Sequence, residues 1–149
     1  MDAYFIDATN RTVEVVKIQQ PGRLQEYYKL IGCDLVEAGA RLPNEDCIYI
    51  DEEGLLVDNE FGFLVNGQPL MGNGVWIGTT EGGRDRAPRT TLEAARAAIQ
   101  FTDAGHIIGA VQANQRAFEQ DLESQGFVKK DGVYTSPDSG VAHIIVNPF

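Results

Sequence analysis

The chain has 149 residues, 43% of them hydrophobic and 23% charged, a composition that folds and buries a core without disulfide or metal staples. No apolar run approaches the roughly 18 residues of a membrane span, and the start Met1-Asp2-Ala3-Tyr4 lacks the segments of a secretory signal, so a cytoplasmic location is expected. The net charge of −10, from 12 Lys and Arg against 22 Asp and Glu, disfavours direct binding to nucleic acid, which needs a basic footprint.

Residues 2–7 and 12–18 read as two strands, with the β-formers Val13, Val15 and Val16 after a Thr9-Asn10-Arg11 turn. Pro21-Gly22 ends that hairpin. Leu24, Tyr27, Tyr28 and Ile31 then fall at helical spacing, and Gly32 sits where a left-handed cap belongs. One of the two adjacent tyrosines should face inward and the other partly outward. Residues 34–37 and 47–50 read as strands, Asp51-Glu52-Glu53-Gly54 as a charged turn, and Leu55-Leu56-Val57 as a resumed apolar run. Residues 61–65 form the next expected strand, followed by the turn dipeptide Asn66-Gly67 and a strand at Val75-Trp76-Ile77, with Trp76 weighed as a core anchor.

Residues 79–90 have almost no apolar content and read as a linker. Thr90 opens a helix, Glu93 completes its capping box, and Leu92, Ala95, Ile99 and Thr102 supply its apolar face. A longer helix carries Val111, Phe118 and Leu122 along one side and ends at Gly126; residues 106–111 fit either its first turns or a separate strand. Three strands close the chain at 127–128, 133–135 and 141–146, turned by Asp131-Gly132 and Pro137-Asp138-Ser139-Gly140. This order gives an α+β fold with a mostly antiparallel sheet, short helices, and a C-terminal helix with a three-stranded meander. The expected organisation is a β-rich module over 1–78, the linker over 79–90, and a second module over 91–149, or all of it packed as one domain.

The charge is unevenly placed. Residues 42–83 hold eight acids and no base, net −8, whereas 1–41 and 84–149 each come to −1. A surface of one sign attracts cationic partners with a strength that falls as salt rises. Seven of these acids, Glu45, Asp46, Asp51, Glu52, Glu53, Asp58 and Glu60, are the expected partner-binding residues.

Candidate chemistry is sparse. Cys33 and Cys47 read as reduced, packed thiols, and together with His106 and His143 they lack the close paired spacing of a zinc site. Asp51-Glu52-Glu53-Gly54 fails as a calcium loop, because Leu55 and Leu56 occupy the fifth and sixth positions. Gly72-Asn73-Gly74 precedes a strand and opens no helix, unlike a phosphate-cradling loop. No catalytic residue, cofactor or metal is therefore expected.

The run Tyr28-Lys29-Leu30-Ile31-Gly32-Cys33-Asp34-Leu35-Val36-Glu37, then Leu42-Pro43, then Ile50-Asp51-Glu52-Glu53-Gly54-Leu55, with Gly74-Val75 beyond, resembles the family called domain of unknown function 3846. The resemblance spans about residues 1–80 and leaves out the C-terminal helix and meander. It carries no catalytic residue across. It implies a small protein of a kind often encoded on bacteriophages, plasmids and other mobile elements. The resulting expectation is a non-enzymatic interaction protein that binds a basic protein surface, such as that of a nucleic-acid-binding host protein, and acts by nucleic-acid mimicry on a restriction or CRISPR defence system. The alternatives are an enzyme or small-ligand binder using Cys33 or a histidine, and a structural or assembly module. No membrane partner is expected.

Overall fold

Two-sided burial defines the first strand. In β1 (Asp2–Asp7), Tyr4 and Ile6 point into one core while Ala3 and Phe5 point into another. A strand covered on both faces belongs inside a sheet. The fold is that of a computed structural model, which describes residues 1–130, 133–135 and 143–145. β1 pairs antiparallel with β2 (Thr12–Lys17), from Asp2 opposite Lys17 to Asp7 opposite Thr12.

Helix α1 (Arg23–Ile31) buries Tyr27 and Ile31 and leaves Tyr28 half-buried. It stops at Gly32, whose φ of 82° is left-handed and whose N–H donates to Tyr28 O at 2.8 Å. Glycine adopts that conformation without the Cβ penalty.

β3 (Val36–Arg41) starts two residues later than the expected strand and runs further, with a bulge between Ala38 and Ala40. It pairs with β4 (Asp46–Asp51). Leu55-Leu56-Val57, expected to resume the apolar run, lies instead in a turn. β5 (Phe61–Val65) pairs with β6 (Gln68–Met71), which tolerates Pro69 because it is an edge strand. β7 (Gly74–Thr79) pairs with β1 on one edge and β4 on the other, and β8 (Asp85–Arg86) continues its free edge beyond β1.

The next helix corrects two expectations. α2 (Leu92–Ala98) is capped by Thr91, not Thr90, through a bond from Ala94 N to Thr91 Oγ1. It ends before Ile99, which opens β9 (Ile99–Asp103) where a single helix over Ile99 and Thr102 was expected. Pairing of β9 with β5, Val65 opposite Ile99 through Phe61 opposite Asp103, satisfies the backbone and keeps Ile99 in the core. A short helix gains little from propensity alone, so the sheet contact prevails.

The central sheet has the order β2-β1-β7-β4-β3, with β8 added on β7; a second sheet has the order β6-β5-β9, and every pair is antiparallel. One face of the central sheet packs Trp76, Ile48, Ile50, Tyr4 and Ile6 against Phe63, Val65 and Leu70 of the second sheet and Ala95 of α2. The other face packs Val75, Ile77, Ala3 and Cys47 against Tyr27 and Ile31 of α1.

The chain divides into two compact units, Met1–Ile107 and Ile108–Phe149. The segment 79–90, expected as a linker, therefore lies inside the first unit. Gly78 shows how tightly it is held: a Cβ there would stand 2.5 Å from Ala87 O. α3 (Ala104–Ser124) runs as helix from its start, so 106–111 are its first turns. In the second unit, β10 (Val128–Lys130), β11 (Val133–Thr135) and β12 (His143–Ile145) form the antiparallel meander. Leu122 and Tyr134 are buried there, while Phe118, expected on the packed side of the helix, is 48% exposed. The expected turns at Asp131-Gly132 and 137–140 lie outside the described residues.

Gly78→Ala should destabilise the protein by about 1–3 kcal/mol, because the contact is with backbone and cannot be relieved by a rotamer change. The midpoint of urea unfolding, followed through the single tryptophan, Trp76, measures it.

Candidate functional site

The seven carboxylates separate along β4. That strand presents Asp46 at one end and Asp51 at the other, five steps apart and so about 17 Å in an extended chain. Glu45 lies beyond the first end, where its O accepts from Thr79 N at 3.0 Å and Thr79 Oγ1 at 2.6 Å. Glu52 and Glu53 lie beyond the second. A separation of roughly two Debye lengths at physiological salt keeps the two ends from acting as one patch.

Asp46 is a correction. Expected among the partner-facing acids, it is 2% exposed. Its carboxylate accepts from Arg89 N, Thr90 N and the Trp76 indole Nε1, each at 2.9 Å. Burial alone would push its carboxyl up, but these hydrogen bonds outweigh burial and hold it below the ordinary carboxylate range. Its work is to pin residues 89–90 to the central sheet. Asp85 does the same for β8 on the opposite face, accepting from Arg23 Nε at 3.1 Å, Tyr27 OH at 2.9 Å and Tyr49 OH at 3.2 Å. Burial and then the Asp85 charge raise the Tyr49 phenol to about 12.

The remaining acids gather at the other end, around the C-terminus of α1. Asp51 Oδ1 accepts from Glu53 N at 2.9 Å, which curls the chain into the loop that carries Glu52, Glu53, Asp58 and Glu60. A groove of about 390 Å³ opens there, lined by Cys33, Asp34, Leu35, Asp51, Glu53 and Val57. A second depression is lined by Ile31, Asp58, Glu60 and Asn73, among others. The neighbours Ile31 and Gly32, and Val57 and Asp58, join the two. Glu52, Glu53, Asp58 and Glu60 are exposed, and Asp51 is half-buried.

The sequence reading missed Asp34 and Glu37, which the fold adds to this end. Burial, then the charges of Glu52 and Asp51, push the Glu37 carboxyl up. It also missed Leu35, Leu56 and Val57 as exposed groups; an apolar run bracketed by Asp51-Glu52-Glu53 and Asp58 is the signal that could have found them. Among the described residues no three His, Cys, Asp or Glu side chains converge to hold a metal ion. Cys33 lines the groove, and burial, then Asp51, raise its thiol, which keeps it protonated and weakly nucleophilic. His106 sits exposed in the first turn of α3, with its backbone N–H donating to Asp103 Oδ1. The side chain of His143 is outside the described residues.

The family described as Domain of unknown function (DUF3846) matches residues 1–102. The chain belongs to that family. The DUF3846 match runs past the 80 residues of the sequence resemblance and takes in α2 and most of β9, so it covers nearly the whole first unit, including both carboxylate staples and the acidic end. The second unit lies outside it. No curated protein and no solved structure matches the chain. No helix among the described residues is long and apolar enough to cross a membrane.

Asp46→Asn should cost about 2–4 kcal/mol at neutral pH, since an NH2 group would face donors that now meet a carboxylate oxygen. Because the folded carboxyl is held low, its contribution is present above the unfolded value of about 3.9 and is lost as pH falls through the folded value. Urea midpoints of wild type and variant should therefore lie far apart at neutral pH and converge in acid.

Proposed function

We propose that this DUF3846 protein is a non-enzymatic accessory protein that binds a basic protein surface through its acidic end, with carboxylates standing where the phosphates of a nucleic acid would stand. The observation that carries this reading is the convergence of Asp34, Asp51, Glu52, Glu53, Asp58 and Glu60 on one end of the first unit. Of the four ion pairs between described residues, none involves these six. Negative charge that is not neutralised internally remains available to a cation. Charge complementarity of this kind speeds association and selects partners more than it deepens affinity. Glu45 and Asp46 drop out of the binding set, one by position and one by burial.

The partner that fits is the cationic face of a nucleic-acid-binding protein. The setting in a phage or mobile element comes from the family resemblance, whereas a restriction or CRISPR effector as the target is motivated by the eight acids of residues 42–83 alone. The protonated Cys33 thiol and the exposed His106, separate from that groove's lining, give little support to a thiol–histidine enzyme.

The test is affinity capture from bacterial lysate at roughly 50 and 500 mM NaCl, with captured proteins identified by mass spectrometry. Basic nucleic-acid-binding proteins should be retained at low salt and released at high salt. The combined variant Glu52→Gln, Glu53→Gln, Asp58→Asn, Glu60→Gln should lower retention about tenfold or more, at up to about 1 kcal/mol per exposed charge. Glu45→Gln with Glu81→Gln should leave it unchanged. Equal retention by both variants, or capture indifferent to salt, overturns the reading.

A further inference from the structure

The acidic end is not only acidic. Leu35, Leu56 and Val57 are 53%, 73% and 47% exposed, and these three of the seven large exposed hydrophobic residues among the described residues sit at this one end. Leu35 and Val57 both line the 390 Å³ groove, together with Asp34, Asp51 and Glu53. Leu56 is exposed in the same loop, between Glu53 and Asp58. Single exposed apolar residues are ordinary, but apolar residues grouped in one groove and rimmed by polar ones mark an interaction site.

The loop is built to hold them outward. Leu56 N and Val57 N both donate to Glu53 O, at 2.9 and 3.2 Å, and Asn59 Nδ2 donates to Gly54 O at 2.8 Å, so the turn is closed on itself. Leu35 is fixed from the other side, where its O accepts from Glu52 N at 3.1 Å. The presentation is therefore set by hydrogen bonds before any partner arrives, which reduces the ordering cost of binding. Burying these side chains later removes apolar area from water, and the carboxylate rim then decides what can deliver the matching apolar surface. An anionic membrane is repelled by that rim. A neutral apolar segment leaves the rim charges desolvated and unpaired.

We infer that the groove docks a cationic amphipathic segment of a partner protein, one that inserts aliphatic side chains between Leu35, Leu56 and Val57 while its lysines or arginines pair with Asp34, Glu52, Glu53 and Asp58. This rests on the proposed function and specifies the partner further: a purely basic surface satisfies the charges, whereas only an amphipathic one also covers the leucines and the valine.

The experiment is calorimetric titration of the full chain with two synthetic peptides of equal positive charge, one an amphipathic leucine–lysine helix and the other lysine–glycine without apolar residues. The leucine–lysine peptide should bind wild type about tenfold tighter or more. Leu56→Ser with Val57→Thr should erase that advantage and leave the lysine–glycine affinity unchanged. Leu35→Ser should reduce the advantage independently, and unchanged Trp76 fluorescence shows that each variant is folded. Equal binding of both peptides to wild type, or a preference that survives both variants, overturns the inference while leaving the charge reading intact. Affinities for both peptides that ignore the neutralising variant at Glu52, Glu53, Asp58 and Glu60 overturn the charge reading itself.

Discussion

One buried carboxylate organises the first unit. Asp46 stands at the head of β4, next to the register position where Gly78 of β7 pairs with it, and its oxygens collect the Trp76 indole and two consecutive backbone N–H groups from the far side of a hairpin. An unpaired carboxylate at 2% exposure would be prohibitively costly. Three N–H donors remove that cost and in return define where residues 89–90 lie. Tyr4 OH donates to Thr90 O at 2.7 Å, so the same residue is held from both its amide and its carbonyl. α2 is capped immediately afterwards at Thr91, which means that the placement of the helix on the core follows from the placement of Thr90.

A rigid central sheet then decides how charge is distributed. β4 carries acids before its first residue and after its last, and its extended length keeps the two sets apart. Around the Asp46 end stand Arg41, Arg84, Arg86 and Arg89, none of them ion-paired among the described residues. Around the Asp51 end the acids stand without a paired base, joined by the carbonyl end of α1 and its partial negative charge. A stretch continuous in sequence is thereby divided in space by the strand that spans it.

The strands and the first helix were legible because their signals are local. β1 and β5 match the sequence reading residue for residue, and Gly32 caps α1 as its position predicts. The errors arise where a distant partner overrides the local pattern. Ile99 and Thr102 fit a helical face after Leu92 and Ala95, yet Ile99 and Phe101 alternating with Gln100 and Thr102 fit a strand equally well, and only β5 decides between them. Asp85-Arg86 looked like linker because polar residues carry no core pattern, although Asp85 is among the best-partnered side chains in the unit. Asp46 was misplaced for the same cause: a carboxylate in an acidic run reads as solvated unless its donors are visible, and two of the three are backbone groups more than forty residues away.

Leu35, Leu56 and Val57 extend that lesson to the candidate site. In sequence they belong to two apolar stretches, each suited to a strand and to burial. The fold starts β3 after Leu35 and ends β4 before Leu56, so both stretches fall outside the sheets at the same end of the unit. Glu52 N bonding Leu35 O is the link that brings them together. A core-forming role would require a layer over these side chains, and all three stay exposed after α1 stops at Ile31. Apolar side chains left uncovered at the point where unneutralised carboxylates concentrate are physically opposed to each other as a solvated surface and complementary only as a binding one: charge favours water, the leucines disfavour it, and a cationic amphipathic segment is the chemistry that satisfies both at once.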